Sequence, residues 1–212
     1  MNSIYIQTHC QARDDALSAE DSGWLNPFQA RIAAIYLGRE AGRSTAFLPG
    51  EAKGVQIPDT DIELCMTEQE MLASFWRVHA EVNKVQKEII ATFNGRKFAV
   101  PFLYVRSSVQ GVPIGSPDLL RDRYRVLDHI DILEAYTFHG IVAKPALLDL
   151  ARLYNLPLPV TIEGGAMQKL LGEALAAPNM PLWDILTKSG IRYADITLSL
   201  GTIWRKTLRQ VY

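Results

Sequence analysis

Ile90-Ala91-Thr92-Phe93-Asn94-Gly95-Arg96-Lys97-Phe98-Ala99-Val100-Pro101-Phe102-Leu103 is the stretch on which the reading of this chain turns. It opens with β-branched, small and aromatic residues, the composition of a short buried strand. Asn94-Gly95 interrupts it, and these two residue types enter positive φ more cheaply than others. Apolar residues then resume, and Pro101 is compatible with a helix only within its first turn. The spacing predicts a strand over residues 88–93, a tight turn at Asn94-Gly95 and a helix over 100–109.

Outward from this segment the pattern alternates. Residues 4–7, 31–38 and 45–48 read as strands, and 49–61 as a loop rich in Gly, Pro and Asp. Thr67-x-x-Glu70 is a capping box opening a helix whose apolar face carries Met71, Phe75, Val78 and Val82. His79 lies near that face and reads as a core or boundary histidine rather than a ligand. Residues 111–118 form a turn-rich connection, and 127–133 suggest a last short strand. Leu147, Leu150, Ala151 and Tyr154 mark a helix stopped by Asn155 and Pro157. Residues 166–176 and 182–188 look helical, and Ile196, Leu200 and Ile203 place an apolar stripe on a final helix running toward Arg209. The order implies an α/β fold, a mixed sheet covered by helices.

The chain has 212 residues, 48% hydrophobic and 21% charged, which suits a single domain over 1–212 with a core that needs no disulfide or structural metal. Cys10 and Cys65 have no metal-ligand spacing and read as inert cytosolic thiols. The first residues lack the pattern of a signal peptide, and no apolar run approaches the ~20 residues of a membrane helix. A cytoplasmic location and no membrane contact are expected. The net charge of −1 supplies no global pull toward nucleic acid, so any such surface must be local.

The segment 90–103 resembles the second motif of the DEDD 3′–5′ exonucleases, in the form found in the proofreading domain of family B DNA polymerases. That motif reads roughly T-F-N-G-x-x-F-D, then a hydrophobic residue and Pro. Ala99 stands where the family has its metal-binding aspartate. The resemblance implies an RNase H-like fold, a sheet of about five strands with helices on both faces. The first motif, Asp-x-Glu followed by Thr, is matched to Ile4-Tyr5-Ile6-Gln7-Thr8-His9-Cys10, with Gln7 at the aspartate position and His9 at the glutamate position. The third, Tyr-x-x-x-Asp, is matched to residues 191–196: Asp195 keeps the aspartate, Ile191 takes the tyrosine position, and Tyr193 is two residues off. Residues 129–133 and 147–157 resemble the stretch between the second and third motifs.

Such enzymes cleave phosphodiesters with two divalent cations about 3.5–4 Å apart. Hard cations such as Mg²⁺ require oxygen ligands, chiefly carboxylates. Of the four expected, only Asp195 survives. Gln7 offers a neutral carbonyl, His9 favours softer metals such as Zn²⁺ or Mn²⁺, and Ala99 offers nothing. The expectation is a pseudo-nuclease with no cofactor, or with Mg²⁺ or Mn²⁺ if it is active. Asn94, Arg96, Lys97 and Phe98 are the candidate nucleic-acid contacts, Phe98 as a stacking surface or as core. Arg121, Arg123 and Arg125, Arg205, Lys206 and Arg209, and Trp76, Trp183 and Trp204 supply further charge and stacking surface, or ordinary solvated and core positions. The partner expected is single-stranded nucleic acid or its ends. Two alternatives stand beside this. One is an active exonuclease, with Ala99 an engineered change, with a carboxylate relocated from Asp14, Asp15 or Asp131, or with a single metal held by His9 and Asp195. The other is a protein-interaction module.

Overall fold

The chain is described by a computed structural model over residues 1–9, 26–85, 89–115, 119, 129–159, 164–177 and 179–209. Among the described residues six strands form one sheet: β1 (Asn2–His9), β2 (Arg31–Arg39), β3 (Ser44–Pro49), β4 (Thr60–Cys65), β5 (Ile90–Thr92) and β6 (His129–Asp131). Their spatial order is β4-β3-β2-β1-β5-β6. β2 is antiparallel to β1 and β3, while β1–β5, β5–β6 and β3–β4 are parallel pairs. This is the mixed α/β sheet covered by helices that the residue pattern implies, with helices on both faces as the resemblance implies and, among the described residues, six strands in place of about five.

The added strand is β4, in a region whose start reads as loop. Its sequence Thr60-Asp61-Ile62-Glu63-Leu64-Cys65 carries two acids among apolar residues and lies at the sheet edge, leaving Asp61 exposed. Charge on an edge strand discourages pairing with another chain, and it also masks the strand in a hydrophobic profile.

Alternation along β1 divides the core. Ile4 and Ile6 join a cluster with Phe75, Trp76, Phe102 and Leu103 from α1 (Glu68–Val85) and α2 (Ala99–Val109). Tyr5 points to the other face, against a cluster that includes Tyr36, Leu171 of α5 (Gly164–Ala176) and Trp183 of α6 (Met180–Arg209). Beside β6, Ile130 packs with Ile132 of α3 (Ile132–Tyr136), Leu150 of α4 (Leu147–Leu153) and Ile196 of α6. Glu68 binds the two helices of the first face together: Arg106 donates to both its oxygens at 2.9 and 2.5 Å, and the Ile32 amide at 2.7 Å.

Local signals place three helix ends. The Thr67 hydroxyl accepts the Glu70 amide at 3.1 Å, while the Glu70 carboxylate turns back one residue farther than a capping box requires, to the Met66 amide at 2.7 Å. Pro101 falls in the first turn of α2. Asn155, at φ 53, ends the run after α4. Two readings are corrected. Ile132 and Leu133 belong to α3 rather than to the last strand, because Asp131 caps the helix through the Leu133 and Glu134 amides. The stretches 182–188 and 196–209 are parts of one helix of 30 residues. The helix runs through Ser189-Gly190: a Cβ on Gly190 would run into the Tyr36 ring, so this glycine permits close helix–sheet packing. Cys10, Asp14, Asp15, Glu20, Asp21, Glu88, Arg121, Arg123, Arg125, Leu127 and Asp128 lie outside the described residues.

Candidate functional site

The turn after β5 is held by one carboxylate. Asn94 has φ 56, and a Cβ on Gly95 would collide with the Thr92 side chain, so the Asn-Gly pair answers a steric demand. Asp131, at the end of the neighbouring strand β6, accepts the amides of Asn94 at 3.0 Å, Arg96 at 2.9 Å, Leu133 at 3.1 Å and Glu134 at 3.4 Å. It thus ties the β5 turn and the first turn of α3 to one point. Burial pushes its pKa up, and the backbone amides of Arg96, Glu134 and Asn94 pull it back down.

Beneath this clamp, His129 Nδ1 lies 2.8 Å from the Leu119 carbonyl and Nε2 lies 2.7 Å from the Thr92 hydroxyl. A carbonyl only accepts, so Nδ1 carries the proton and Nε2 accepts from Thr92. Burial, reinforced by the Arg96 charge, lowers the His129 pKa to about 4. Arg96 itself turns inward, donating to the His129 carbonyl at 2.9 Å and lying 3.5 Å from the Glu134 carboxylate.

These contacts redistribute the candidate nucleic-acid residues. Arg96 is committed to His129 and Glu134, with only 8% of its side chain exposed. Phe98 packs edge-on against Phe102 and joins the core of the α1/α2 face. Asn94 is half-buried in the clamped turn, and Lys97 is exposed beside it. Trp76 and Trp183 are buried, their indole N–H groups donating to the Ser107 hydroxyl and the Ala174 carbonyl. Trp204 is half-buried, Arg205 likewise, and Lys206 is exposed. His79 is buried, edge-on to Phe75, as a core histidine.

The positions matched to metal ligands lie apart. Gln7 is buried on the α5/α6 side of β1, where the Tyr36 hydroxyl donates to its Oε1 at 3.0 Å and its Nε2 donates to Met167 Sδ at 3.5 Å. Ala99 is a buried methyl in the cluster on the other face, with Ile4 and Ile6. His9 ends β1 opposite Arg31.

Asp195 follows Ala194, whose carbonyl accepts the Ser3 hydroxyl at 2.7 Å. α6 therefore runs antiparallel to β1: Gly190 lies against Tyr36, Ala194 against Ser3, and Gly201 against Met1 and Ala91. The turn carrying Asp195 meets the start of the strand. Four residues of strand, ~13 Å, separate Ser3 from Gln7, and six, ~20 Å, separate Ser3 from His9. The backbone of His9 thus stands at the far end of β1 from the turn that carries Asp195. Arg192 lies 3.9 Å from Asp195, whose pKa is raised by burial and lowered by that arginine. Ile191 is buried in the α5/α6-face cluster.

Tyr5 is the residue that motif matching passed over. It stacks on Tyr193 with ring centroids 5.0 Å apart and lies 5.9 Å from Tyr36. Burial raises the pKa of both Tyr5 and Tyr36. Strand alternation puts Tyr5 and Gln7 on one face, and only the fold shows that α6 delivers a third tyrosine, Tyr193, to that face.

No family model matches the chain, and no curated protein matches it. Solved structures do. The family B DNA polymerase from the hyperthermophilic archaeon Pyrobaculum calidifontis superposes on 95% of this chain with a TM-score of 0.64 and 15% sequence identity. The match takes in 24% of that polymerase, so this chain corresponds to about a quarter of it and shares with that quarter its fold.

Proposed function

We propose that this chain is a DEDD-type exonuclease domain that has lost two-metal catalysis and binds single-stranded nucleic acid or nucleic-acid ends. The observation that carries the reading is the state of Gln7. At a position the motif reserves for a ligand, the amide is buried and both its polar atoms are bonded within the protein. Ala99 agrees with it, a methyl packed among Ile4, Ile6 and Val100 where a carboxylate is required. Moving the first motif by two residues, so that Tyr5-Ile6-Gln7-Thr8 stands on Asp-x-Glu-Thr, aligns the threonine and still yields no carboxylate. The residues present therefore do not fit a pair of Mg²⁺ ions, which need several oxygen anions to offset their charge.

Strand binding is supported by the fold shared with part of a DNA polymerase and by Lys97 and Lys206, exposed and free of burial cost. Fluorescence anisotropy with labelled single-stranded DNA and RNA tests it. Affinity that falls steeply with salt is expected, since phosphate contacts release counterions. Absence of binding at low salt overturns the reading in favour of a protein-interaction module. Release of nucleotides with Mg²⁺ or Mn²⁺, abolished by Asp195→Ala, overturns the loss of catalysis. Ala99→Asp is expected to give no nuclease activity and to lower stability by about 1–3 kcal/mol, because it buries a carboxyl among apolar side chains. Robust metal-dependent degradation by Ala99→Asp would instead identify an enzyme disabled at one position.

A further inference from the structure

We infer that the cavity at the β6 edge of the sheet is a pocket for one nucleobase bearing an exocyclic amine. The assignment rests on the domain's proposed binding of single strands. The cavity has a volume of about 370 Å³, enough for a nucleoside. Phe138, Ile141 and Trp204 form its apolar wall, and Arg96, Glu134 and His139 its polar part. None of these side chains belongs to the positions matched to metal ligands.

The wall is held in place against local preference. Phe138 and His139 have φ 48 and 59, two successive non-glycine residues in the left-handed region, followed by Gly140 at φ 100. Phe138 stands just past the end of α3, where glycine is the usual choice. The conformation is secured by the His139 amide donating to the Glu134 carbonyl at 2.8 Å and the Gly140 amide to the Thr137 carbonyl at 3.0 Å. Folding gains little from the ring so placed: Phe138 remains 58% exposed and Ile141 86% exposed. A strained backbone that presents an aromatic ring to a cavity is the arrangement of a ligand clamp. Phe138 and Trp204 lie 6.3 Å apart at 68°, offering a planar ligand a face and an edge.

The polar part selects among bases. Glu134 contributes a carboxylate, which only accepts, with Arg96 3.5 Å and His139 3.8 Å from its Oε2. The exocyclic amino group of adenine, cytosine or guanine can donate toward it, whereas the one Watson–Crick-edge donor of uracil and thymine, N3–H, is flanked by two carbonyl oxygens that the carboxylate repels.

The source of the base, free nucleoside or strand, is separated by two titrations on the full chain. In the first, adenosine is added while tryptophan fluorescence is followed; in the second, labelled single-stranded oligonucleotide is followed by anisotropy. Saturable quenching by adenosine is expected, absent in Trp204→Phe, with uridine much weaker. Phe138→Gly is expected to weaken adenosine binding about fivefold or more, as loss of one base-stacking partner does. Its melting temperature should be unchanged or higher, since glycine accepts the left-handed conformation without strain. Oligonucleotide binding without any adenosine response overturns the pocket and leaves the strand-binding reading intact. Failure of both titrations overturns both. Uridine binding as tightly as adenosine, or undiminished adenosine affinity in Phe138→Gly, also overturns the pocket.

Discussion

Asp131 shows how much of a motif's reading depends on one side chain outside it. Thr-Phe-Asn-Gly is visible in the sequence, but the carboxylate that accepts the Asn94 and Arg96 amides stands 35 residues or more downstream. Replacing Asp131 by Ala leaves four amides without that acceptor, each costing about 1–3 kcal/mol where water cannot substitute. We expect Asp131→Ala to lower stability by about 3 kcal/mol or more in urea denaturation, and Asp131→Asn, which keeps one accepting oxygen, to cost less. Equal stability of Asp131→Ala and the parent chain would show the clamp to be incidental. The same scale explains why the nucleic-acid candidates thinned out. Arg96 reads as a surface charge in sequence, and only the fold reveals the buried carbonyl and carboxylate that hold it.

Among the elements, α6 departs most from local expectation. Its two parts, 182–188 and the stripe of Ile196, Leu200 and Ile203, read as separate helices, and Gly190 lies between them although glycine weakens helices by about 1 kcal/mol relative to alanine. The glycine is present because the Tyr36 ring occupies the space of its Cβ. Gly190→Ala should therefore gain helix propensity and still lose about 1–3 kcal/mol net, as overpacking of a dense core does. A thermal melt decides it; an increase in melting temperature would mean the helix was limited by propensity rather than by the sheet. β4 teaches the opposite lesson. Its alternation was present in the sequence, but acids on an edge strand lower its hydrophobicity to that of a loop, and only pairing with β3 defines it.

For the whole molecule, the buried histidines set the response to acid. Burial lowers both His79 and His129 from 6.5 to about 4. In the unfolded chain both take up protons near the ordinary value, while the folded chain resists protonation until much lower pH. Their contribution to stability is therefore complete above about pH 6.5 and is lost as pH falls toward 4, at roughly 1.4 kcal/mol per pH unit for each histidine. Asp131 and Asp195, whose pKa values are raised by burial, act in the opposite direction at the acid end and moderate the loss. Urea denaturation at pH 7.5, 6 and 5 should show declining stability, with a shallower decline in His79→Phe. A flat profile would mean that these histidines are hydrated in the folded chain.

Most strands and helices, the Asn-Gly turn, the Thr67 cap and the division of β1 into two faces follow from the amino-acid order, because they depend on periods of two to four residues and on the backbone preferences of single residues. The absence of carboxylates at Gln7 and Ala99 is equally visible there. What surrounds those positions is not. Gln7 meets Met167 across 160 residues, and Ser3 meets Ala194 across 191. Which turn of α6 lies over which residue of β1 is settled by packing between distant segments, through the close approach that Gly190 permits at Tyr36. That non-local choice carries Asp195 to the start of β1 and brings Tyr193 onto Tyr5. No local periodicity encodes it.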